Sequence, residues 1–254
     1  MGGHGANAGL RDAAIGILLA LAGILVWAQV VRTVVLPPVA QAIGAYLVVW
    51  LPLAIATLVA WRRAGMPRAG TLPADTLPAE TRSDASADSR PALVPLAFRP
   101  IDLLWGVGVA LVLRGVAAAI EIAVLGRMSG SGVQLEVDPA TAWLALVVAP
   151  ILVGPFVEEW FFRGLVVPAV RDSAVASGAG SRTAAAIGVV VSAVLFGLLH
   201  TVEAPTPATA LVTGASAFAF GLAAGALAVL TGRLGGAIIA HAVYNGLLVA
   251  LLVG

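Results

Sequence analysis

Apolar residues in this chain gather in long unbroken runs, at about residues 13–31, 39–61, 101–125, 142–170, 183–200, 208–231 and 235–253. Most of them are close to the roughly 20 residues that an α-helix needs to cross a hydrocarbon core. The first run follows Arg11 and starts as a signal peptide would. It is longer than a signal h-region, so it reads as a retained membrane helix. The run at 142–170 exceeds one span and contains Pro150 and Pro155. It is one kinked helix or two short ones. The pattern predicts an all-α polytopic membrane protein of about seven helices, or eight if that run divides.

Between the second and third runs the pattern stops. Residues 62–100 are rich in Pro, Ala, Ser and Asp and show no apolar period, so they cannot bury enough surface to fold alone. The expected organisation is a two-helix membrane hairpin at 1–61, a flexible cytoplasmic linker at 62–100 and a helical core at 101–254.

Composition agrees. The chain of 254 residues is 60% hydrophobic and 11% charged, against about half and about a quarter for a soluble domain. A net charge of +1 leaves no electrostatic footprint for nucleic acid. With no cysteine, disulfide and thiolate chemistry are excluded. All 14 basic residues are arginine in an Ala-, Gly- and Val-rich chain, which points to a GC-rich coding bias and a bacterial plasma membrane. Cytoplasmic loops are enriched in basic residues. Seven spans with the amino terminus inside put Arg11, Arg62, Arg63, Arg68, Arg82, Arg90, Arg99, Arg171, Arg182 and Arg233 in the cytoplasm, and only Arg32 and Arg127 outside.

Few ionisable residues remain within the spans: Asp102, Arg114, Glu121, Glu158, Glu159, Arg163, His200 and His241. A charge at mid-bilayer costs at least ~2.5–3.5 kcal/mol, so such residues face the protein interior and mark function. Arg114 and Glu121 are seven apart on one helical face and read first as a structural ion pair or as snorkelling near an interface, with a substrate contact as the alternative. Glu159 and Arg163 have the i, i+4 spacing of an ion pair. Glu158 is then the odd carboxylate. Nothing local neutralises it, and desolvation makes such a group a candidate general base. "FGLLH" sets Phe196 one turn before His200, and "HAVYN" sets His241 and Asn245 on one face.

Taken in order, E-E-x-x-x-R, F-x-x-x-H and H-x-x-x-N in successive apolar helices resemble the CAAX protease and bacteriocin-processing family of intramembrane proteases. The resemblance covers roughly residues 142–254, and all three motifs match without substitution. It implies an endopeptidase acting on a membrane-associated peptide or protein, with its active site buried in the helix bundle. Glu158 and His200 would activate water. His241 and Asn245 would stabilise the oxyanion. Glu159, Arg163 and Phe196 would support the architecture. Zinc held by Glu158, His200 and His241 is the alternative to a metal-free reaction; the H-E-x-x-H motif is absent, and the metal-free reading is preferred. The other functional classes considered are a non-catalytic scaffold or bacteriocin immunity protein, and a proton-coupled transporter. No internal repeat supports the last.

One expectation conflicts with the rest. At 1.5 Å per residue, straight helices put Glu158 roughly 18 Å, His200 roughly 25 Å and His241 roughly 10 Å from the cytoplasmic helix ends. The groups meet only if the span limits shift or if Pro155 and the glycines near 232–236 bend the helices.

Overall fold

A computed structural model describes residues 3–65, 94–128, 141, 143–202 and 204–253. Most of the 62–100 segment lies outside the described residues, and so do Arg68, Arg82 and Arg90. The described residues are helical, with no strand among them. In chain order the helices are α1 Gly3–Thr33, α2 Pro38–Gly65, α3 Ile101–Leu125, α4 Trp143–Ala176, α5 Ser181–Thr201, α6 Pro207–Thr231 and α7 Gly235–Val253. Six are long and apolar enough to cross a membrane, and α7 contributes a shorter apolar stretch, Gly235–Leu251. The run with two prolines is thus one continuous helix, not two.

Prolines give α4 its character. Its Trp143–Val153 and Phe162–Val166 stretches are wound as π-helix, in which each N–H reaches the carbonyl five residues back. Pro150 has no N–H, so it leaves the carbonyl of Ala145 open; Pro155 does the same to the carbonyl of Pro150. Both openings are filled from other helices. Tyr46 on α2 donates its hydroxyl to Ala145 O at 2.7 Å. Asn245 on α7 donates Nδ2–H to Pro150 O at 2.7 Å. The prolines therefore tie α4 to its neighbours on both sides.

The core lies around the middle of α4. Phe161, Phe162, Leu165 and Val166 are fully buried against Ala20 and Leu53 of the hairpin, Phe196 of α5, Phe220 of α6 and Ala237 of α7. Close packing brings in α1, where a Cβ at Gly16 would fall 2.8 Å from Phe161 Cε2. The hairpin of α1 and α2 meets α4 at Gly9 against Ala169, Gly16 against Phe161 and Trp50 against Gly154.

The turn between α6 and α7 is sunk into the protein. Residues 94–99 cover it, with Pro95 O and Ala97 O accepting the N–H groups of Leu234 and Gly235 at 3.2 and 3.1 Å. Arg233 is latched to the buried Asp102 of α3 through Nε and Nη2, at 2.6–3.0 Å. Arg99 N–H donates to the same carboxylate at 2.8 Å. The hydrogen bond to Asp102 holds the Arg233 guanidinium above its ordinary pKa.

Candidate active site

The register of three helices resolves the depth conflict. Leu234 packs at Gly164, with its Cδ1 3.4 Å from the Cβ position there. From that level α4 and α7 run antiparallel, and seven residues along each, about 10 Å, bring His241 level with Val157 and Glu158. The expected His241 depth was wrong because α7 begins inside the protein, not at its surface. On α5, Ser192 Oγ donates to Phe162 O at 3.0 Å. Eight residues on, His200 is level with Gly154. A helical Cβ points toward the helix amino end, so the Glu158 side chain reaches back to the same level. Its Oε1 lies 3.6 Å from the Cβ position of Gly154.

Glu158 has partners that the local sequence did not reveal. Trp50 on α2 donates its indole N–H to Glu158 Oε1 at 3.1 Å. Glu158 Oε2 lies 3.8 Å from His241 Nε2, too far for a hydrogen bond and suited to a bridging water. Glu158 and His200 line one cavity of about 240 Å³, completed by Trp50, Tyr46, Val49 and Leu199. The hydrogen-bond partner of Glu158 is 108 positions away, beyond the local sequence in which nothing neutralises the carboxylate.

His200 has a defined tautomer. Phe196 O, which can only accept, lies 2.8 Å from Nδ1, so Nδ1 carries a proton, and in the neutral ring Nε2 presents the lone pair. His200 also lines a second cavity, of about 150 Å³, with His241, Asn245, Tyr244 and Arg114. The Arg114 Nη2 to Glu121 Oε1 bond, at 3.0 Å, gives the ion pair expected on α3.

Glu159 and Arg163 form the expected pair at 2.8 Å, both fully buried. The same Glu159 Oε1 accepts His241 Nδ1–H at 2.9 Å, so one carboxylate orients both an arginine and an imidazole. Arg163 Nε and Nη2 have no hydrogen-bond partner. The guanidinium lies instead over Phe196 at 4.6 Å, Phe220 at 5.6 Å and Phe162 at 6.0 Å. Ring faces supply the remaining attraction to the cation. Phe196 thus supports both the guanidinium and, through its carbonyl, His200.

The zinc reading asks for three converging ligands. Among the described residues no group of three His, Asp or Glu side chains is placed to hold a metal ion. His241 Nδ1 is already bound to Glu159, and its Nε2 faces Glu158 at 3.8 Å. The arrangement does not fit a three-ligand metal as it stands.

These features define a polytopic helical membrane protein with a carboxylate, two imidazoles and an amide around two cavities that share His200. Residues 140–247 match the family model described as Rce1-like, type II CAAX prenyl endopeptidase Rce1-like. The family is one of proteases, which supports protease activity here. No curated protein and no solved structure matches the chain.

Proposed function

We propose that the protein is an intramembrane endopeptidase that hydrolyses a membrane-associated peptide or protein by Glu/His activation of water. The observation that carries the reading is that Glu158 and His200, from different helices, line one cavity, with His241 Nε2 3.8 Å from the Glu158 carboxylate. In this mechanism Glu158 Oε2, aided by the lone pair on His200 Nε2, takes a proton from water as its oxygen attacks the scissile carbonyl. The oxyanion accepts from the second Nδ2 hydrogen of Asn245 and from His241, as an imidazolium, at Nε2. Collapse breaks the C–N bond, and the proton held by Glu158 passes to the leaving amine. No step passes through a metal.

The proposed site lies within the segment 101–254, with 1–61 as a membrane hairpin and 62–100 as a linker. For orientation, seven arginines of the described residues lie at the end of the bundle formed by the start of α1, the end of α2 and the α6–α7 turn: Arg11, Arg62, Arg63, Arg99, Arg171, Arg182 and Arg233. Arg32 and Arg127 lie at the other end. The first end is proposed as cytoplasmic, in a bacterial plasma membrane. A cysteine replacing Arg182 should stay unlabelled by an impermeant reagent in intact cells; labelling reverses the orientation.

A peptide-library cleavage assay on the purified protein tests the reaction. Wild-type protein should cleave a subset of peptides and should be unaffected by a strong chelator. Loss of activity on chelation with recovery on added zinc would replace the metal-free mechanism. Cleavage that survives His200→Ala in a folded protein would remove His200 from water activation. The non-catalytic scaffold reading draws on one observation: His241 and Asn245 each hold a structural hydrogen bond, to Glu159 and to Pro150 O.

A further inference from the structure

Two of the polar groups that touch α4, at its first π-wound stretch and at Glu158, come from outside the segment that matches the family. α2 carries Tyr46 and Trp50 four residues apart on one face, with their rings stacked at 4.5 Å and 13°. Tyr46 donates to Ala145 O in the first π-wound stretch, and Trp50 donates to Glu158 Oε1. The stack makes one rigid unit with two donors, anchored at Tyr46 and aimed at Glu158 through Trp50.

We propose that Trp50 is a positioning residue for Glu158, so that the amino-terminal hairpin is part of the working site and not only a membrane anchor. A carboxylate on a helix can rotate about its own torsions. Holding Oε1 on an indole N–H fixes the plane of the group and leaves Oε2 toward His241 Nε2, 3.8 Å away. A charge-assisted bond of this kind restricts the base to the geometry in which it meets water. Indole is suited to the task because it donates and never accepts, so it cannot take the proton that Glu158 must carry. The local packing fits this role. Gly154, one turn before Glu158, leaves room for the ring: a Cβ there would stand 2.9 Å from Trp50 Cζ2. Trp50 also forms part of the cavity wall shared with Glu158 and His200. The inference rests on Glu158 as the base, and two separate readouts keep the two claims apart.

The first readout is the indole N–H resonance of Trp50 in full-length protein in lipid nanodiscs, assigned by its loss in Trp50→Phe. It should move upfield in Glu158→Ala, which removes the acceptor, while the Trp27 resonance stays. A Trp50 signal indifferent to Glu158→Ala overturns the proposal whatever the enzyme does. The second readout is steady-state cleavage of the best library peptide. Trp50→Phe keeps a ring over Tyr46 and deletes the donor. It should lower kcat about 10-fold or more, the scale of one charge-assisted hydrogen bond, with KM changed less than about two-fold. Gly154→Ala should lower kcat from the opposite side by displacing the indole, and should add little to Trp50→Phe when the two are combined. A wild-type kcat in Trp50→Phe, with Glu158→Gln inactive, contradicts the positioning role and leaves the protease reading standing. If Glu158→Gln cleaves at the wild-type rate, the base assignment fails, and the positioning role fails with it.

Discussion

At positions 158 and 159, α4 presents neighbouring carboxylates to two different surroundings. On the closed side, Glu159 is 0% exposed and joined to Arg163 and His241, with three phenylalanine rings packed about the guanidinium. On the open side, Glu158 keeps 15% exposure and borders a cavity with Trp50 and His200. The chemistry of the two residues is the same. Their surroundings divide the work: the closed carboxylate neutralises a buried cation and orients an imidazole, while the open one keeps an oxygen accessible. A buried pair of this kind is weak evidence for net stability, yet removing one partner is costly because the other charge stays behind.

The largest expected effect follows from that asymmetry. Glu159→Ala leaves the Arg163 guanidinium buried with only ring faces, and thermal unfolding in detergent should show a loss on the order of 3–5 kcal/mol. A melting curve like wild type would mean that the aromatic cage alone carries the cation.

Asn245→Ala comes next and acts on both properties at once. The freed Pro150 carbonyl should cost about 1–3 kcal/mol in the same melting experiment. Cleavage should slow by ~100- to 1,000-fold through loss of an oxyanion donor. Destabilisation with an unchanged kcat would confine Asn245 to its bond with α4.

Tyr46→Phe is milder. It removes the hydroxyl that fills the Ala145 carbonyl but keeps the ring stacked on Trp50. A loss of about 1 kcal/mol is expected, and the same melting measurement reads it. No loss would indicate that the π-wound stretch satisfies that carbonyl by other means.

Much of this was legible in the sequence. The helices were, because their apolar runs are long and their boundaries carry arginine or glycine. The pair Glu159–Arg163 was as well, since i, i+4 spacing on a helix leaves little freedom. What local pattern could not supply was contact across helices. Trp50 and Tyr46 sit in an ordinary apolar span with no motif, and their hydrogen-bond partners lie 108 and 99 residues on. The two prolines of α4 do carry a readable signal. Each marks an open carbonyl that some donor must fill, and Asn245 was the available amide. The depth of His241 was misjudged for a related reason. Helix counting assumes ends at the membrane surface, whereas the Asp102–Arg233 latch and residues 94–99 bury the start of α7. Asp102 was noted only as a charge within a span; its partner was assigned to a loop.

The comparison of the two carboxylates is tested most directly at the open one. Glu158→Gln keeps the shape and an oxygen acceptor for Trp50, so unfolding should stay near wild type, the smallest stability change in the series. Only proton uptake is lost. Measured on the best library peptide, with folding checked in the same sample, cleavage by Glu158→Gln should be abolished. A folded Glu158→Gln protein that cleaves at the wild-type rate would contradict the account.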